Sequence, residues 1–412
     1  RRAGAFRSVP SSLKFLLKIK SISFEKCIFN SIVFLSCNFI FFEIIDVKIT
    51  NDFSINKCKI DVFRFLDCEN LDCKINIRKT SFFENFNFEN NHFLEKGCFL
   101  VLKSEFFNHT VIQNNVFSVV HLAFVKFKEF IAFINNDFLN ISTESTFFVC
   151  EFEEQTDFRQ NKIRLLKYVD CKFFGKVSFN DIPYQFLTSI SFEMCDFHKS
   201  IQFNKSSFHK FSLDNTNFLG IASFQETFFD LISIERTIFE KLVFFDSIKI
   251  NLINECNVKT IRAIKQQLQK AENRIDFNRF KNYEMATYYR ELNWKENFVD
   301  KSILFMTKIS TDFGSNWIKA FWFTIFSGIG FYLLFYTIEN HTHTIDILNW
   351  NNWKRVISGL FRFFLVTDFY NPLETDRVYL TNPLSWLVFI FGKIVIAFGI
   401  YEMIQSFRKF KA

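Results

Sequence analysis

Through the first two thirds of the chain, bulky apolar residues return at every fifth position. Phe24, Phe29, Phe34 and Phe39 are spaced in this way, as are Ile55, Ile60 and Phe65, and then Phe83, Phe88 and Phe93. Phe158, Ile163, Tyr168 and Phe173 continue the pattern. Its clearest run is Phe203, Phe208, Leu213 and Phe218, resumed after one extra residue at Phe224, Phe229, Ile234, Phe239 and Phe244. A period of five fits neither the 3.6 of an amphipathic helix nor the 2 of a strand. So short a unit cannot bury its own apolar side chain, and coils of such units must stack. With about 20 residues to a coil and ~4.8 Å between coils, residues 20–258 predict about 12 coils. The register is poorest between residues 94 and 150. The six-residue steps from Phe197 to Phe203 and from Phe218 to Phe224 call for bulges or corner loops, so an interrupted solenoid is expected.

A second pattern runs two residues ahead of the first. Cys27, Cys37, Cys58, Cys73, Cys150, Cys171, Cys195 and Cys256 each precede an apolar residue by two positions, so eight of ten cysteines share one slot. Elsewhere the slot holds another small residue, as in Thr156-Asp157-Phe158, Ser206-Ser207-Phe208 and Thr216-Asn217-Phe218, and the residue between is commonly polar. A unit reading small, polar, bulky apolar, any, any resembles the pentapeptide-repeat family. The resemblance implies a mainly-β fold, a right-handed quadrilateral β-helix in which the small and bulky residues both face inward and four repeats make one coil. Phe24, Phe29, Phe34, Phe39, Phe203, Phe208, Phe218, Phe224, Phe229, Phe239 and Phe244 would form the structural ladder. The cysteines are then expected to be buried, reduced core residues.

After Val258 the period changes. Ile261, Ile264, Leu268, Ala271 and Ile275 follow helical spacing, and a second helical stretch covers roughly residues 277–294. Both are expected to cap the open end of the solenoid, which would otherwise present an unpaired edge. Residues 301–309 form an amphipathic stretch suited to a membrane surface. Residues 320–338 are then uncharged and mostly apolar, long enough to cross ~30 Å of hydrocarbon, with Trp317, Trp322, Tyr332 and Tyr336 toward the ends. A second span runs from Pro383 to about Ile404, with Lys393 near its middle as a membrane or pore candidate. Gly392 and Gly399 on this span, and Ser327, Gly328 and Gly330 on the first, would let the two helices approach closely. Between the spans, residues 356–366 are apolar but too short to cross, as in a re-entrant or interfacial helix. The domains read as a basic segment 1–19, a solenoid 20–258, a helical cap and linker 259–316 and a membrane domain 317–412.

Composition narrows the reading further. Sixty-four Phe stand against 10 Gly and 4 Pro, which excludes collagen-like and Pro/Gly-rich disordered classes. GxGxxG and GxxxxGK[ST] are absent, so a nucleotide-binding Rossmann or P-loop domain is not expected. The net charge of +7 is unevenly placed: residues 259–412 carry 20 Lys and Arg against 13 Asp and Glu, and residues 1–258 carry 30 of each. Six of the basic residues lie in the first 20 positions, which leaves a solenoid body of net −6 and argues against nucleic-acid binding. The chain starts at Arg1 without a methionine and so reads as a truncated form or fragment. Leu13, Phe15, Leu16 and Leu17 make too short and too basic a stretch for a signal sequence. Lys301, Lys308 and Lys319 before the first span, and Arg408, Lys409 and Lys411 after the second, put both ends in the cytoplasm, in a bacterial inner membrane.

No catalytic constellation is evident. His341 and His343 are two metal-capable ligands without a third, and His92, His109, His121, His198 and His209 are scattered. No catalytic residue, metal or cofactor is expected, and the chain is read as non-enzymatic. Its expected partners are the lipid bilayer and an unknown cytoplasmic protein; homo-oligomerisation is compatible with the sequence. The first function expected is a membrane-anchored solenoid acting as an interaction scaffold. The alternative is a two-span, ion-channel-like or sensor protein, although Thr367-Asp368-Phe369-Tyr370-Asn371-Pro372 lacks the glycine of a potassium-channel filter. A third reading, DNA mimicry that protects gyrase, rests on fold analogy alone, and the body's charge is thin for it.

Overall fold

The computed structural model describes residues 14–15, 18–138, 143–184, 188–339, 350–374 and 377–408. They form two compact units, Arg1–Asn273 and Arg274–Ala412. The first is a mainly-β parallel solenoid of about 11 turns. Its four sides are visible in the strand register as four parallel ladders.

One ladder pairs Phe34, Ile55, Ile77, Val101, Leu122, Phe147, Tyr168, Phe192, Leu213 and Ile234 in turn. The next side pairs Phe39, Ile60, Phe82, Phe106, Phe127, Phe152, Phe173, Phe197, Phe218 and Phe239. On the third, Phe24, Ile44, Phe65, Phe88, Ile112 and Phe133 follow one another. The fourth includes Phe117 on Phe138, and Phe208, Phe229 and Ile250 in turn. Rings within a ladder stack: Phe152 to Phe173 at 4.6 Å and 1°, Phe173 to Phe197 at 4.7 Å and 9°, and Phe197 to Phe218 at 5.0 Å and 12°. Such offset pairs add about 0.5–1.5 kcal/mol each beyond burial.

The coils are longer than four units of five. Successive ladder partners from Phe34 to Ile234 lie 21 to 25 residues apart. From Phe82 onward the extra residue sits at one corner, between the second and third sides, as in Phe82 to Phe88, Phe197 to Phe203 and Phe218 to Phe224. The larger insertions, Phe93 to Val101 and Phe138 to Phe147, fall at a different corner, between the fourth side and the first. These two lie in the stretch where the five-residue pattern fades, and a third, as long as the first, lies between the ladder partners Tyr168 and Phe192. At the six-residue corner the coils come very close. A Cβ on Gly220 would meet the Lys199 carbonyl oxygen at 2.2 Å, and one on Gly175 would meet that of Glu154 at 2.1 Å. Backbone cannot yield as a side chain does, so Gly220→Ala should destabilise the solenoid by about 1–3 kcal/mol, seen as a lower urea midpoint.

The small slot has a physical cause. Two corners of each coil turn through a residue at positive φ, and this occurs at 22 non-glycine positions between Lys26 and Ser247. Ser36, Lys57, Asp170, Met194 and Asn215 are among them, and each stands immediately before a slot residue. The turn leaves the slot residue's N–H without a backbone acceptor, and a buried N–H must be satisfied. The slot side chain of the next coil accepts it: Cys37 N–H donates to Cys58 Sγ at 3.4 Å, and Thr80 N–H to Ser104 Oγ at 3.2 Å. The slot thiol or hydroxyl in turn donates to carbonyls, as Cys171 does to Phe147 O at 3.3 Å and Thr216 to Phe192 O at 3.2 Å. Cys150, Cys171 and Cys195 follow one another in this slot. All ten cysteines are free.

Helix α1, Val258–Lys270, lies on the last coil. Ile261, Ile264 and Leu268 are fully buried there, and Thr260 Oγ1 accepts the N–H of the ladder residue Ile234 at 2.9 Å, in place of the carbonyl a further coil would offer. Asn257 caps the helix, accepting from the Thr260 N–H at 2.7 Å.

The second unit holds α2 (Arg274–Glu291), α3 (Phe298–Thr311), α4 (Trp317–Glu339), α5 (Trp350–Phe364) and α6 (Pro383–Arg408). Two of these, α4 and α6, are long and apolar. They run antiparallel: Trp317 stacks on Phe407 at 5.1 Å at one end, and Ser385 Oγ donates to Glu339 at 2.5 Å at the other.

Candidate functional site

The ladder residues take different places. Phe34, Phe39, Phe203, Phe208, Phe218, Phe224, Phe229 and Phe239 are buried, whereas Phe24 and Phe29, at the first coil, are half-buried. After Phe239 the inward ring is Phe245, stacked on Phe224 at 5.0 Å, while Phe244 is half-buried. Similarly Phe82 is inside and Phe83 is 39% exposed. In both places two phenylalanines are adjacent, and the six-residue corner decides which of them points in.

Four buried asparagines also line the core. Asn91, Asn115, Asn136 and Asn161 occupy the slot of the corner before the fourth side, on four successive coils, each 1% exposed. Each backbone N–H donates to the next Oδ1: Asn91 to Asn115 at 2.9 Å, Asn115 to Asn136 at 3.0 Å, Asn136 to Asn161 at 2.8 Å. Their amides also donate inward to backbone carbonyls, Asn115 to Phe88 O at 2.8 Å and Asn136 to Ile112 O at 2.9 Å. This ladder ties together the coils that carry the insertions. The signal was present in the chain, an Asn two residues before Phe93, Phe117, Phe138 and Ile163.

Burial governs the thiols. It pushes Cys58 up to about 11 and Cys73 to about 12, and holds Cys171 and Cys195 well above the usual thiol range. Such thiols carry almost no thiolate at neutral pH and are poor nucleophiles.

One polar cluster stands out on the solenoid. Asp230, 6% exposed, accepts from Tyr184 Oη at 3.1 Å and from Asn251 Nδ2 at 3.3 Å, and lies 2.9 Å from His209 Nδ1. Burial alone would raise its carboxyl, yet the His209, Tyr184 and Asn251 hydrogen bonds together hold it below the ordinary value. A depressed carboxyl stabilises the fold above its unfolded pKa and loses that effect as pH falls through the folded one. The gap in thermal midpoint between the wild type and Asp230→Asn should therefore be full above about pH 5 and close as the pH falls below ~3.8. Of the other imidazoles, His121 bonds Thr146 Oγ1 at 2.6 Å and His198 stacks on Phe174 at 4.5 Å. His341 and His343 lie outside the described residues.

In the second unit the burial pattern sorts α4 and α6 into two faces. Ala320, Thr324, Gly328, Tyr332 and Phe335 are the covered side of α4. Ser385, Val388, Phe389, Lys393, Ile396, Glu402 and Ser406 are that of α6. The glycines set the approach: a Cβ on Gly399 would meet Thr324 Oγ1 at 2.2 Å, and one on Gly392 would meet Phe331 Cβ at 2.9 Å. Gly328 faces Phe364 of α5, and Gly330 faces open space. The opposite faces are uncovered. Phe326 is 66% exposed, Phe391 57% and Ile394 58%, and only 22% and 39% of the two apolar stretches are buried. A core helix of a soluble domain would be covered all round.

Lys393 is on the covered face, 3% exposed. Its ammonium donates to the carbonyls of Leu365 and Asp368 and stands over the Phe389 ring at 4.5 Å. It thereby ties the segment after α5 to α6. Tyr332 Oη donates to Val356 O at 2.7 Å, and Arg355 and Arg362 hold the Leu373 and Glu374 carbonyls, so α5 is fastened on both sides. Among the described residues no three His, Cys, Asp or Glu side chains stand together as metal ligands. Comparison with protein-family models, with curated proteins and with solved structures finds no match to the chain.

Proposed function

We propose that this chain is a membrane-anchored pentapeptide-repeat protein, non-enzymatic, whose solenoid offers a rigid surface to a cytoplasmic protein partner. One observation carries the anchoring: α4 and α6 cover each other along small-residue faces and leave a continuous apolar belt outward, an arrangement stable only where the surroundings are also apolar. The four ladders and the small slot two residues before each bulky ring support the repeat reading. Lys319 in the first turn of α4 and Arg408 at the end of α6 stand at one end of the antiparallel pair, and in the sequence Lys301 and Lys308 precede α4 and Lys409 and Lys411 follow Arg408, which supports a cytoplasmic position for that end. Ten free thiols suit a reducing compartment such as the cytoplasm of a bacterium.

Helix, short helix, helix is also the layout of a two-span channel. The scaffold reading is favoured because the Lys393 ammonium is engaged by the Leu365 and Asp368 carbonyls rather than left to line an open path. Planar-bilayer recording of the purified full chain separates the two. The scaffold reading expects no single-channel steps, whereas steps abolished by Lys393→Leu would replace it with the channel.

A further inference from the structure

Between α2, the end of α3 and α6, the second unit forms an open cleft of about 390 Å³. Its wall carries one acidic side chain, Glu402, one basic side chain, Lys281, and the amides of Asn282 and Gln405, over a floor that includes Met285 and Leu304. Glu402 is the unusual member. It is 4% exposed, and its side chain has a single hydrogen-bond partner among the described residues, the Thr311 hydroxyl at 2.9 Å from Oε2. A buried carboxylate can accept about four hydrogen bonds and is costly to leave short of them. Lys281 does not close an ion pair with it, so the two charges remain apart across the cleft.

We infer that this cleft is a headgroup site for an ethanolamine phospholipid, the ammonium on Glu402 and the phosphate toward Lys281. The inference rests on the membrane-anchored reading. Depth supports it: Glu402 lies five residues before Phe407, which stacks on Trp317 at the start of α4, so the cleft sits at the aromatic level where headgroups lie. Size supports it, because the volume falls within the range of small-ligand sites and exceeds what a bare ion needs. Chemistry selects the class. A primary ammonium offers three N–H donors to the Glu402 carboxylate, and the phosphate supplies a counter-charge to Lys281. A choline headgroup has no N–H to give and is held instead by aromatic cages; Phe313 is the one aromatic residue in this wall.

The test uses the full chain in detergent, with thermal stabilisation read against added phosphatidylethanolamine, phosphatidylcholine of the same acyl chains, and soluble phosphoethanolamine. The expected result is about tenfold or greater preference for phosphatidylethanolamine over phosphatidylcholine, the size of a lost charge-assisted hydrogen bond. Glu402→Gln keeps an acceptor for Thr311 and should bring the two lipids to near-equal affinity. Lys281→Ala, at an exposed position, should weaken phosphatidylethanolamine severalfold. Equal binding of both lipids by the wild type, or preference unchanged in Glu402→Gln, would overturn the site. Response to soluble phosphoethanolamine with none to the lipid would overturn the lipid source. Alkaline carbonate extraction of the same samples reports separately on the anchoring, so failure of the site and failure of the anchor are distinguishable.

Discussion

Replacing Phe192 by alanine should cost about 3–5 kcal/mol, a large loss for a single ring truncation in the solenoid. Phe192 is fully buried and stands among five rings: Tyr168 at 4.9 Å on its own ladder, Phe211 at 6.1 Å from the strand of the next coil, two residues before the ladder partner Leu213, and Phe197, Phe179 and Phe203 at 5.5, 5.7 and 6.0 Å on neighbouring sides. The hole cannot collapse, because each surrounding ring is fixed by its own coil. A solenoid is held by neighbour-to-neighbour contacts, so the damage should be local. Hydrogen exchange should quicken first in the amides of the strands Leu165–Val169, Ser189–Glu193 and Ser207–Asp214 and much less in Ile28–Leu35. Uniform acceleration along all coils would mean that the solenoid unfolds as one unit.

The second large effect is expected at Asn136. Its Oδ1 accepts the Asn115 N–H at 3.0 Å and the Asn115 amide at 3.0 Å, and its own amide donates to Ile112 O and to Asn161 Oδ1. Leucine would fill the space and leave the Asn115 N–H buried without an acceptor, at a cost of about 2–4 kcal/mol in urea unfolding. Asn136→Ser should recover part of the loss, because Ser206 meets the same need at this corner, accepting the Ile182 N–H at 3.1 Å. Equal losses for leucine and serine would show that volume, not the orphaned N–H, sets the cost.

How far the sequence told this in advance differs from element to element. The stacked coils were legible because burial imposes a period on the chain, and no other regular structure has a period near five. The ladder member was ambiguous wherever two rings are adjacent, as at Phe82 and Phe83 or Phe244 and Phe245, since composition cannot tell which side of a bulge faces in. The coil length was underread for a related reason. Insertions at a corner leave the sides intact but break the spacing, so residues 94–150 looked irregular while their strands stayed in register. The buried asparagines escaped because Asn reads as a surface or turn residue until the positive-φ corner before it shows an N–H in need of an acceptor. The apolar helices were plain from hydropathy. The covered face of α6, with Glu402 and Lys393 on it, could not be separated from the lipid side by hydropathy alone, because it follows from which residues meet α3, α4 and α5.

The account depends most on the outward faces of α4 and α6 meeting hydrocarbon. Flotation of the full chain with lipid vesicles, followed by extraction in alkaline carbonate, tests this directly. The account predicts that the chain stays with the vesicles through the carbonate step and leaves them only in detergent. A chain recovered in the aqueous supernatant without detergent would contradict it, and the apolar belt would then have to be covered by protein.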